Sequence, residues 1–114
     1  MKDYSKVWSH LIRKFGQTLL RKPRIVNEST GEITYGDQET ITGWVEQITG
    51  YTELWERLGL LVEADYRVTF PADTTVNVGD LIKVDDDWCI VAEKIYRKIG
   101  NKVHAIECLL RKRK

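Results

Sequence analysis

The side chains able to do chemistry in this 114-residue sequence are few, and their spacing suits little of it. Asp85-Asp86-Asp87 is the densest run of hard oxygen ligands, the type that holds Ca2+ or Mg2+. It lacks the spaced Asp/Asn, the glycine and the closing Glu of a calcium loop, and its flanks read as a hairpin, so a solvated turn is expected. His10 and His104 stand alone, without a partner at metal-ligand spacing, and read as ordinary structural or surface residues. Cys89 and Cys108 lie in apolar runs with no histidine nearby in sequence, as a nucleophilic thiol would need. Both are expected as buried thiols in a reducing compartment, and a disulfide is geometrically open only if their strands pair. Glu63, Asp65 and Arg67 share one strand face, where an exposed row of ion pairs accounts for them. No glycine-rich phosphate loop is present. The expectation is therefore of a non-enzyme with no catalytic residue, no metal and no cofactor.

The elements that would carry these residues begin with a helix over 3–15. Tyr4, Val7, Trp8, Leu11, Ile12 and Phe15 recur at spacings of three and four, Asp3 can cap the start and Gly16 the end. Such a helix is about 20 Å long and too short to be stable alone, so it must cover its own domain or a neighbouring subunit. From Thr18 the pattern turns to period two. Residues 18–26 read as a basic strand that Pro23 interrupts, which favours an edge or a bulge. Asn27 to Gly31 is turn chemistry, and Thr40 to Ile48 a strand in which Gly43 marks a bulge or a close backbone approach. Residues 49–60 read as a long loop with one helical turn. Residues 61–70 give the clearest alternation: Val62, Ala64, Tyr66, Val68 and Phe70 on one face, charged and polar residues on the other. Leu81–Val84 and Trp88–Ile95 form a hairpin, Gly100-Asn101 a turn, and Lys102–Leu110 the last strand. The predicted fold is mainly β, a single domain over 1–114: a small antiparallel β-barrel or sandwich of about six strands over 17–111, with one N-terminal helix and a basic tail at 112–114.

Composition narrows function further. Two cysteines make no disulfide framework, the N-terminus does not resemble a secretory signal, and no apolar run nears the roughly 20 residues that span a bilayer. The net charge of +1 hides a strong asymmetry. Residues 1–24 hold seven Lys/Arg against one acid, residues 25–93 three against fifteen, and residues 94–114 eight against one. Basic ends and an acidic middle allow complementary head-to-tail contacts between identical chains.

Two groups of residues are candidates for binding. Arg13, Lys14, Arg21, Lys22 and Arg24 near the start, with Arg111, Lys112, Arg113 and Lys114 at the end, could attract a partner or phosphates, or form a solvated surface. Tyr51, Glu53, Leu54, Trp55, Glu56 and Leu58 in the long loop form the second group. Large rings such as Tyr51 and Trp55 in a loop suggest contact with another subunit. Trp44 and Trp88 are expected in the core, though as exposed rings they would favour stacking on nucleic acid.

In order, the sequence gives a helix closed by Phe15-Gly16, a basic strand, the Thr40-to-Gly43 strand, a long loop and an alternating strand ending in Phe70-Pro71-Ala72. The segments Leu61-Val62-Glu63-Ala64-Asp65-Tyr66-Arg67-Val68, Val78-Gly79-Asp80-Leu81-Ile82-Lys83-Val84 and Trp88-Cys89-Ile90-Val91 follow that order. Over most of residues 8–113 the chain resembles the head-closure or stopper proteins of tailed phages and prophages. The resemblance implies a virion protein of the head–tail junction, assembled in the host cytoplasm. It would be a homo-oligomeric ring beneath the portal or its adaptor and above a tail protein, close to packaged double-stranded DNA and helping to retain it. The loop that would narrow the channel corresponds to 49–60, where Glu53 and Glu56 would repel DNA, so this loop either narrows the channel or faces a neighbour. A small-barrel nucleic-acid-binding module and a tail terminator or tube component are the alternatives.

Overall fold

The structure, a computed structural model, describes residues 5–50 and 64–113. Helix α1 (Ser5–Phe15) leads into β1 (Gln17–Lys22), β2 (Arg24–Val26), β3 (Ile33–Tyr35), β4 (Glu39–Gly50), β5 (Ala64–Pro71), β6 (Leu81–Val84), β7 (Asp87–Ile99) and β8 (Lys102–Lys112). Six strands close an antiparallel barrel in the order β1-β4-β5-β8-β7-β6, and β2 and β3 form a separate two-stranded ribbon. The mainly β fold and its N-terminal helix are as the alternation predicts. The ribbon is an addition: Pro23 has no N–H to continue β1, so the chain leaves the barrel there, and the Asn27–Gly31 turn becomes the ribbon's tip.

The pleat sorts the side chains. Tyr66, Val68 and Phe70 of β5 point into the barrel and meet Leu19, Ile82, Val84, Cys89, Val91, Ile106, Cys108 and Leu110, all buried. Each aliphatic or aromatic side chain so buried contributes about 1.5–3 kcal/mol. Along β8 every residue from His104 to Leu110 is buried, so its outer face is covered as well as its inner one. Helix α1 packs on its own barrel, against β4, β5 and β8, with Ile12 fully buried. Only part of the predicted apolar face is used, since Val7 and Phe15 stay more than half exposed.

Two glycines make this helix packing feasible. Gly16 closes the helix, its N–H donating to the Ile12 carbonyl at 2.6 Å. A Cβ on Gly16 would lie 2.8 Å from the Gly43 carbonyl oxygen, and one on Gly43 would lie 2.6 Å from Val68 Cγ1. The close approach predicted at Gly43 is therefore real, and the bulge in β4 falls later, between Gln47 and Gly50.

Asp85 and Asp86 form a two-residue hairpin turn with φ of 49° and 69°, and Asp87 already pairs with Val84. Trp44 and Trp88 are not core residues. Their strands place Gly43, Val45 and Cys89 inward, so both indoles lie on the outer wall, Trp44 exposed and Trp88 half-buried. Strand β8 runs through Lys112, so Lys112 is a strand residue, not tail.

Candidate interaction surfaces

Of the predicted basic cluster, Arg21 must be withdrawn. Its Nε and Nη2 reach Asp80 Oδ2 at 2.8 and 2.7 Å, and Nη1 reaches Glu39. Both Arg21 and Asp80 are buried. Burial works against the guanidinium's charge, but the bonds to Glu39 and Asp80 outweigh it and raise its pKa. Asp80 also accepts the Arg24 N–H on Oδ1 and the Asn77 N–H on Oδ2, each at 2.9 Å. This carboxylate ties the exit from β1 to the segment before β6. It is a structural lock with no charge left over for a partner.

Lys22 and Arg113, 91 positions apart in sequence, both reach Trp88. Lys22 Nζ lies 4.6 Å and Lys83 Nζ 5.9 Å from the Trp88 ring centroid. The Arg113 N–H donates to the Trp88 carbonyl at 3.0 Å, and its guanidinium lies 5.5 Å from the Tyr35 ring. The result is a basic, aromatic-lined patch on the outer wall. Arg24 is exposed beside Gly79, and Arg111 is exposed on β8. Lys112 lies apart from these, over Tyr66 at 5.8 Å and 3.8 Å from Asp87. Arg13 and Lys14 are exposed on the last turn of α1, on another wall. Lys114 and the loop group Tyr51, Glu53, Leu54, Trp55, Glu56 and Leu58 lie outside the described residues.

A second charged cluster sits beneath α1. Arg67 reaches Glu46 at 2.7 Å and Glu107 at 4.0 Å, and Arg97 reaches Glu107 at 3.0 Å. Trp8 and Trp44 flank the groove above it. Arg67 thus pairs across strands, and Asp65 accepts the Lys112 N–H at 2.8 Å. These partners belong to β4, β7 and β8, so only strand pairing brings them together. Glu107 is buried and lies between its two arginines.

Cys89 and Cys108 are buried and free. Burial, with the charges of Asp65 and Asp87 nearby, pushes the Cys89 thiol up to about 11. Burial pushes Cys108 up to about 12. Both are neutral thiols near pH 7, the inert form. Among the described residues no three His, Cys, Asp or Glu side chains converge as a metal site.

What the surface does offer is apolar area on two projections. On the ribbon, Ile25, Val26 and Ile33 are 50, 44 and 51% exposed, although each lies in a strand. On the far part of β7, Tyr96 and Ile99 are 48 and 51% exposed. Tyr96, opposite Ile106, is still level with β5, whose last pair is Pro71 with Ala105; beyond it the pairs Lys98–Val103 and Ile99–Lys102 overhang the barrel. These apolar strand residues keep about half of their surface exposed.

Neither the family models nor the curated proteins compared with this chain match it.

The two projections have a simple geometric relation. Around the barrel, β1 and β4 are separated from β7 and β8 by β5 on one side and β6 on the other. The ribbon and the overhang therefore rise from opposite walls. They also rise from the same rim: β1 ends beside the start of β6, β6 starts beside Ile90, and β7 runs on from there to Ile99.

Proposed function

We propose that this chain is a non-catalytic structural protein of a tailed-phage head–tail junction. Copies form a ring beneath the portal or its adaptor, connect capsid to tail and help retain packaged DNA. The observation that carries the reading is the pair of apolar projections on opposite walls of one barrel rim. A chain with a contact surface on each side joins its neighbours head to tail, and such contacts close into a ring when the rotation per copy divides a full turn. The segregated charge of the sequence, basic at both ends and acidic between, supports the same arrangement. The order of sequence motifs from Trp8 to Arg113 supplies the phage context. The test is the mass of the purified protein at low and high salt, alone and with a portal–adaptor complex. A ring or a complex with the adaptor is expected; a strict monomer that never binds that complex overturns the reading.

The patch around Trp88 favours a second reading, a nucleic-acid-binding module. Lys22, Lys83 and Arg113 would contact phosphates there. Two lysines already lie over the Trp88 ring, which leaves it a poor platform for a stacked base. Fluorescence anisotropy with single- and double-stranded oligonucleotides discriminates. This reading expects binding that weakens steeply with salt, and no binding at low salt rejects it.

A further inference from the structure

We propose that the β2–β3 ribbon of one copy docks on the β7–β8 overhang of a second copy of this chain. The inference rests on the ring reading above and names the two surfaces that join its subunits.

The two projections match in chemistry. Each presents exposed apolar side chains: Ile25, Val26 and Ile33 on the ribbon, Ile99 on the overhang with Tyr96 below it on the barrel part of β7. Their charges are opposite. The ribbon tip carries Glu28 and Glu32 and no cation between Asn27 and Glu32. The overhang carries Lys98 and Lys102, and no acid lies between Lys94 and Lys102; Arg97 below it is paired with Glu107. Glu28, Glu32, Lys98 and Lys102 are all exposed. An apolar centre within a rim of complementary charge is the anatomy of a protein–protein interface, and the rim fixes register and partner choice.

The fit is between copies and not within one. In a single chain the ribbon is rooted on β1 and β4, across the barrel from β7 and β8, and packs at its base against Gly79 and Arg113. In two copies set side by side they face each other at one level, because both leave the same rim. A contact that pairs different patches at equal height favours closure over a climbing filament.

The substitutions that test this fall on exposed residues outside the core, so the variants should fold, and circular dichroism and melting confirm it. The full-length chain is compared as wild type, as E28K/E32K, as K98E/K102E, and as an equimolar mixture of the two variants. Sedimentation at low and high salt reads the assembly, with a portal–adaptor complex present if the wild type needs it. Each variant alone should self-associate roughly tenfold more weakly or worse, because its two projections now carry like charge. The mixture should regain assembly, because every junction between unlike variants is again complementary. If the wild type assembles and either variant assembles equally well, or the mixture stays dissociated, the pairing is wrong while the ring reading stands. If the wild type is monomeric under every condition, the ring reading falls and the pairing with it.

Discussion

Arg21 and Asp80 are 59 positions apart in sequence and meet through two nitrogens on one carboxylate oxygen, at 2.8 and 2.7 Å, inside the barrel's edge. The pair holds the chain at the point where β1 gives way to the ribbon, because the same carboxylate accepts the Arg24 N–H just beyond Pro23. Removing one partner strands a buried charge. Asp80→Ala should cost about 3–5 kcal/mol by urea denaturation. The matched double variant Arg21→Met/Asp80→Leu should recover a large part of that loss, and equal instability of single and double variants would contradict the role given to the pair.

The buried thiols predict an alkaline limit. Cys89 and Cys108 titrate near 11 and 12 in the fold, against 9.0 when exposed. The unfolded chain therefore releases these protons first, binds fewer than the native state, and stability falls as pH rises from 9 towards 12. The raised pKa of buried Tyr66 adds in the same direction. Denaturation midpoints measured along this range should fall more steeply for wild type than for Cys108→Ala. The same burial predicts that a thiol reagent at pH 8 labels the protein only when it unfolds.

Gly43 should not tolerate a side chain. A Cβ there would meet Val68 and Phe70 at 2.6 and 2.9 Å, in a core whose atoms cannot withdraw far. Gly43→Ala should destabilise by about 1–3 kcal/mol in a thermal or urea melt. A neutral outcome would mean that the core yields there.

The β6–β7 turn is built from the wrong residues for its shape. Asp85 and Asp86 both hold positive φ, which Asn-Gly adopts with less strain. Replacing the pair by Asn-Gly should stabilise the protein by about 1 kcal/mol or somewhat less. A lower melting temperature would show that these aspartates hold the turn by contacts beyond backbone shape.

The barrel was legible because period two persists wherever one strand face is wet: Ala64 to Phe70 reads directly as alternation, and it is alternately buried. Strand β8 was readable as apolar but not as doubly covered, because the helix over its outer face is remote in sequence. The ribbon is hidden in the sequence because Ile33-Thr34-Tyr35 is only three residues long and Ile25 and Val26 look like a continuation of β1. Size argues for placing the two tryptophans in the core, whereas inward position is set by phase, and Gly43 and Cys89 hold the inward phase beside them. Of the basic residues, composition could mark Arg21 and Lys22 alike. Only the partner strand separates a locked ion pair with Asp80 from a surface lysine over Trp88.

The central claim is that identical chains meet through opposite sides of this barrel. Native mass spectrometry of the full-length protein across a concentration series, with and without a portal–adaptor complex, addresses it most directly. A single closed stoichiometry, loosened by salt, is the predicted result. A population of lone chains at every concentration and on every complex would contradict it.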